Sequence, residues 1–203
     1  MIDSNASPTT ATTKPRPAPG ERRIQILQTL AAMLEKPDGE RITTALLAKR
    51  LDVSEAALYR HFASKAQMFE GLIEFIESSV FGLINQITER ETNPSLQCKQ
   101  IASMVLTFGE KNPGMTRVMV GDALVFENER LQIRMNQFFD KIESSFKQAL
   151  RSAYAASHTP TVEANVRAAT LTAVLAGRLQ RFARSGFKNK PTDQMDAALA
   201  FII

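Results

Sequence analysis

Cysteine occurs once in the 203 residues, at Cys98, and histidine twice, at His61 and His158. A lone cysteine excludes an intrachain disulfide and a thiolate metal cluster, and it fits a reducing compartment such as the cytoplasm. No metal-ligand spacing, glycine-rich phosphate loop or nucleophile elbow is present, so catalysis finds no support and no cofactor is expected. Asp122, Glu127 and Glu129 lie close together, but a solvated loop explains them. No stretch approaches the ~18 consecutive apolar residues that a membrane span requires, and the N-terminus lacks an apolar signal core. Period-two runs of β-branched residues are also missing, which argues against a sheet.

What is present is helical periodicity. Hydrophobic residues make up 44% of the chain, enough for a core, and they recur at spacings of three and four. The expected class is all-α. Residues 1–19, rich in Thr, Pro, Ala and Ser, read as a disordered tail. The tail reads first as a spacer, although Lys14, Arg16, Arg22 and Arg23, in it or just beyond it, can also reach DNA. Residues 1–65 hold ten Lys/Arg against seven Asp/Glu, and residues 66–203 hold fifteen against fourteen. The basic excess therefore sits mainly in the first third, which fits nucleic acid and also fits an ordinary solvated surface.

Helix signals follow in order. A first helix is predicted over 21–36 with Ile24, Leu27, Leu30, Ala31 and Leu34 on one face, ended by Pro37-Asp38-Gly39. A second follows Thr43-Thr44, with Leu47, Ala48 and Leu51 inward, and a third occupies 54–62. Ser64 and Gln67 form a capping box that opens a long helix to about Glu89, with Phe69, Leu72, Ile73, Ile76 and Ile84 inward. Further helices are predicted over 95–110, 115–120, 128–154 and 161–184, with a last short one after Pro191.

The segment RITTALLAKRLDVSEAALYRHFASKAQMF has the parts of a helix-turn-helix: a bracing helix, a tight turn, and a short helix with one apolar face and one free face. Leu58 and Phe62 pin the short helix from behind. Ala56 and Ala57 allow close approach to bases, while Tyr59 and Arg60 offer donors. Ser54 is an N-cap and Glu55 suits the positive helix end. Thr43, Thr44 and Lys65 stand at helix starts where a phosphate can dock. Tyr59 also fits a half-buried packing role, and His61 a packing or phosphate-side role. The turn position commonly held by glycine is Asp52, which tolerates left-handed backbone. The expected organisation is a tail (1–19), a helix-turn-helix domain (20–65) and a C-terminal helical domain (66–203).

This segment resembles the DNA-binding domain of TetR-family regulators. SEAALYRHF, FGEKNPGMTRVMVGDALVFENERLQIRMNQFFDKIE and RFARSGFKNKPTD further resemble the branch of that family that acts in nucleoid occlusion. The resemblance runs from about Glu21 to near the end of the chain. It implies a cytoplasmic, nucleoid-associated homodimer that binds palindromic double-stranded DNA and, on DNA, blocks assembly of the tubulin-like division protein FtsZ. Residues matching the DNA-facing positions are Thr43, Thr44, Ser54, Ala57, Tyr59, Arg60, His61 and Lys65. Phe75, Lys111 and Asn112 match the face that meets FtsZ. Phe75 also fits a core role.

The resemblance places the dimer seam on the helix over 161–184, where Ala169, Ala173 and Gly177 allow close approach and Leu179 and Phe182 close the seam. Ordinary intrachain packing explains the same residues. The chain departs from the branch at Ala63, where proline is usual, at Leu83, where a basic residue is usual, and at Thr107, where glycine is usual. A ligand-released TetR-type repressor is the alternative. Its apolar cavity would be lined by Met104, Met115, Phe138 and Phe139, whose spacing is also that of a plain core. A protein that bridges partners without DNA would leave the short helix idle.

Overall fold

The computed structural model describes residues 20–36, 42–153, 155 and 160–203. The expected tail with Lys14 and Arg16, the Pro37-Asp38-Gly39 turn, Tyr154 and His158 lie outside them. The described residues form only helices and their connections: α1 (Glu21–Leu34), α2 (Thr44–Arg50), α3 (Glu55–Tyr59), α4 (Lys65–Arg90), α5 (Pro94–Lys111), α6 (Pro113–Met119), a 3₁₀ turn (Asp122–Leu124), α7 (Glu129–Ala153), α8 (Pro160–Arg184) and α9 (Met195–Ala200).

Local chemistry sets the boundaries. Side-chain oxygens of Thr43, Ser54, Ser64 and Asn93 each accept the backbone N–H three residues on, capping α2 to α5 in turn. The capping box of α4 is closed, because Ala63 N–H donates to Gln67 Oε1 at 2.9 Å. Pro94 and Pro113 open α5 and α6, where a missing N–H costs nothing. The sequence-predicted turn at Asn112-Pro113-Gly114 is therefore already the first turn of α6. Asp52 has φ 55°, so the α2–α3 turn is left-handed at the aspartate.

One apolar stripe runs along α4, comprising Met68, Phe69, Leu72, Ile73, Ile76, Val80 and Ile84. The helix packs against α1 and α6 as well as against α5 and α7. The α7 stripe Leu131, Met135, Phe138, Ile142, Phe146 and Leu150 is buried throughout, and α7 packs most extensively on α8. The Phe138 ring sits between Phe81 and Phe139 at centroid distances of 5.4 and 5.3 Å. Arg134 holds Glu77 through two hydrogen bonds, 3.2 and 2.6 Å, fastening α7 to α4. That pairing raises the guanidinium pKa above its ordinary value, against a smaller opposing effect of burial. Cys98 is buried in α5, and burial pushes its thiol up to about 12.

Two expectations about helix faces are corrected. Ile24 is 58% exposed, and Ile26 is the buried residue instead. The inward stripe of α1 is Ile26, Leu30, Ala31, Met33 and Leu34, the face that packs on α4 and α6. Phe182 is only 2% exposed and rests on Phe187 at 5.2 Å, and Leu179 is buried too. Leu179 continues the Leu171–Leu175 stripe into the core, and Phe182 is turned inward under Phe187, so neither lies on the exposed face of α8 where the seam residues were expected.

Gly114 at the start of α6 lies so close to α1 that a Cβ there would sit 2.0 Å from the Ala31 carbonyl oxygen. Gly82 in α4 has nothing within 4 Å of that position. In urea unfolding, Gly114→Ala is expected to lower stability by about 1–3 kcal/mol or more, because backbone must move. Gly82→Ala is expected to raise it by about 0.5–1 kcal/mol through helix propensity.

Candidate nucleic-acid interface

The short α3 cannot stand alone, since a helix of little more than one turn does not offset its nucleation cost. It is held from behind. Leu58 and Phe62 are buried, and the Phe62 ring lies beside Gly71 of α4, where a Cβ would come within 3.2 Å of it. Arg23 of α1 places its guanidinium 4.2 Å above the Phe62 ring and donates to the His61 carbonyl at 2.5 Å. It thereby stacks on an aromatic and puts a cation at the negative end of α3. Arg23, offered by the sequence as a DNA contact beside the favoured spacer role, thus positions α3.

The other face of α3 is open. Tyr59 and Arg60 are exposed, and Ala57 and His61 partly so. Tyr59 does not fill the packing role. Its hydroxyl lies 3.5 Å from Thr44 Oγ1, and Thr44 Oγ1 in turn donates to Glu55 Oε2 at 2.6 Å. A chain Tyr59–Thr44–Glu55 thus ties the start of α2 to both ends of α3. Glu55, which the sequence shows only as a residue suited to a helix start, fixes the angle between the two helices. Thr43 and Ser54 serve as N-caps, with oxygens 3.1 and 3.3 Å from the N–H groups they accept. Lys65, at the start of α4, is turned away from solvent and ion-paired with Glu127, beyond the 3₁₀ turn. Glu127 therefore does not belong to a solvated loop.

The residues matched to a partner face occupy a second region. Phe75 is 51% exposed on α4, so it is not core, and Leu83 further along the helix is exposed too. Lys111 ends α5 and is exposed. Asn112 Nδ2 donates to the Phe108 carbonyl at 2.8 Å, which closes the end of α5. Thr107 is partly buried. On α8, Ala169, Ala173 and Gly177 are exposed and continue the exposed Val162 and Val166. Of the residues proposed to line a ligand cavity, Phe138 is fully buried, and Met104, Met115 and Phe139 pack against the core. None of them lines the cleft of about 580 Å³ that lies between α1, α2 and the 3₁₀ turn.

The architecture and the exposed short helix define a TetR-type helix-turn-helix protein. Residues 26–72 match the family described as bacterial regulatory proteins, tetR family, and residues 93–203 match the SlmA-like family described as tetracyclin repressor-like, C-terminal domain. The chain is 52% identical over 177 residues to the nucleoid occlusion factor SlmA of Idiomarina loihiensis, spanning 87% of this chain and 90% of that one. It is 48% identical over 188 residues to SlmA of Aliivibrio fischeri, covering 92% and 96%. Among solved structures, the fatty acid degradation regulator FadR of Bacillus halodurans superposes with a TM-score of 0.74 at 12% identity, over 92% of this chain and 96% of that one. That likeness concerns the fold alone. The chain belongs to the SlmA family of nucleoid occlusion factors, a branch of the TetR-type DNA-binding proteins.

The residues that sequence reading missed as positioning groups are Arg23, Glu55 and Glu127. Each finds its partner 11 to 62 positions away, and no local pattern marks it. Ser54→Ala is expected to cost about 1 kcal/mol of stability and to speed hydrogen exchange at the Ala57 amide. Unchanged exchange there would remove Ser54 as the cap.

Proposed function

We propose that the chain is a cytoplasmic, nucleoid-associated homodimer that binds palindromic chromosomal sites and, while bound, blocks FtsZ assembly over the nucleoid. What carries this reading is that its identity with nucleoid occlusion factors extends through the C-terminal half, beyond the helix-turn-helix that all TetR-type proteins share. On this reading residues 20–65 are the DNA-binding domain, and residues 66–203 make the dimer and meet FtsZ. The protein works by binding and performs no catalysis.

Arg60 and Tyr59 would read base edges, with Ala57 in contact distance of the groove, while Thr43, Thr44, Ser54, His61 and Lys65 serve the DNA backbone. Phosphate contacts supply most of the affinity, which should fall steeply with salt. Phe75, Lys111 and Asn112 would meet FtsZ. With Leu83 and Thr107 in place of a basic residue and a glycine, that contact rests on Phe75 and on the charge of Lys111. Ala169, Ala173 and Gly177 would face the second copy across α8.

Genome-wide binding-site mapping tests the whole reading. Many scattered sites, sparse near the replication terminus, are expected; one or two sites beside the chain's own gene would instead indicate a ligand-released repressor. FtsZ sedimentation with and without a mapped duplex should show DNA-enhanced inhibition, lost in Phe75→Ala. Arg60→Ala is expected to cost about 1–3 kcal/mol on a mapped site and little on random DNA. An equal loss on both would make Arg60 a phosphate contact. Gly177→Ala creates no clash within the protomer, so if it weakens the dimer in sedimentation equilibrium, a close approach of two α8 helices is the cause. An unaltered dimer would move the seam elsewhere.

A further inference from the structure

Lys65 and Glu127 are 62 positions apart and belong to different parts of the molecule. Lys65 is the first residue of α4, just past the reading helix. Glu127 lies between the 3₁₀ turn and α7. Their side chains are only 23% and 11% exposed, and the Lys65 ammonium also lies 5.6 Å from the Phe69 ring centroid. The same connection is tied to the DNA-binding part a second time. Arg117 of α6 pairs with Asp122 at 2.5 Å and donates to the carbonyls of Leu34, the last residue of α1, and Lys36 just after it, at 3.3 and 3.4 Å. Between these two ties lie Val125 and Phe126, both exposed, the latter by 75%. Leu124 just before them is buried in the core, so the upstream end of the stretch is anchored by packing, and its downstream end, with Val125 and Phe126 open to solvent, is held by the Glu127 ion pair.

We propose that Glu127 is a positioning residue for DNA binding: it holds Lys65 in the free protein and releases it to a backbone phosphate when the reading helix docks. This rests on the DNA-binding reading given above. A carboxylate and a phosphate oxygen compete for one ammonium, and the flexible lysine stem lets it change partner without moving α4. Free protein therefore carries a Lys65–Glu127 pair that DNA must break. By linkage, whatever loosens Glu127 tightens DNA binding, and DNA in turn frees the segment bearing Val125 and Phe126. DNA occupancy is thereby transmitted to a surface of the C-terminal half.

The experiment uses the full chain and a labelled duplex recovered by selecting from random-sequence DNA with that same chain. Glu127→Gln keeps size and hydrogen bonding but loses the charge, and it is expected to bind about threefold tighter or more with an unchanged salt slope. Glu127→Asp, which keeps the carboxylate, is expected to bind near wild type. Lys65→Met should make the salt slope shallower by about 0.9 for each lysine removed from a phosphate. The chain contains no tryptophan, so Phe126→Trp provides a single emission signal. Duplex addition should shift that emission when Glu127 is present and leave it unmoved in the Glu127→Gln background. Unfolding midpoints of each variant separate loss of fold from loss of coupling. A Glu127→Gln protein that is folded yet binds no tighter, or an indole emission from position 126 that is blind to bound duplex, overturns the inference while leaving DNA binding intact. Failure to recover any duplex would sink both.

Discussion

The fold depends on the apolar stripe of α4, which has to be buried in both directions along its length. The stripe Met68, Phe69, Leu72, Ile73, Ile76, Val80 and Ile84 is buried along its whole length, and α4 packs on α1 and α6 as well as on α5 and α7. Each such side chain contributes on the order of 1.5–3 kcal/mol when withdrawn from water, so these helices cannot separate from α4 without exposing part of a continuous surface. The helix-turn-helix is therefore not a bead on a flexible string. Its recognition helix is braced through Phe62 and Gly71 against the element that also forms the floor of the C-terminal half.

Polar contacts then refine what burial makes possible. Phe62 would anchor α3 in any case, but Arg23 fixes its rotation by stacking on the ring and holding the His61 carbonyl. Glu55 and Thr44 fix its angle to α2. These contacts lie near the surface, where single ion pairs contribute little to stability. Their value is geometric: they hold Tyr59 and Arg60 on the one face that packing leaves open.

Much of this is readable from the sequence, and the reason is periodicity and capping. The stripes of α4 and α7 repeat over many turns, so their inward faces are unambiguous. Thr43, Ser54, Ser64 and Asn93 announce helix starts through side chains that bond within three residues. The misread positions share a cause. Ile24 sits near the free end of α1, where two faces are both apolar and only tertiary contact chooses between them. On α8, leucines and small residues both recur at helical spacing, so the sequence offers two stripes without saying which faces inward. Phe182 and Leu179 read with the small residues but belong with the leucines. The roles of Arg23, Glu55 and Glu127 depend on partners distant in sequence, and a charge carries no address. For the same reason the residues matched to DNA and FtsZ are legible only through resemblance.

The buried sulfur of α5 has a bearing on how the protein endures in a cell. Cys98 is the only thiol, it is sealed from water, and its proton is held so tightly that almost no thiolate exists near neutral pH. Peroxide and glutathione disulfide attack the thiolate, so an oxidative burst has no foothold at this position while the chain stays folded. A protein that must keep its grip on the chromosome through such an episode is thereby spared a covalent lesion in the middle of its core.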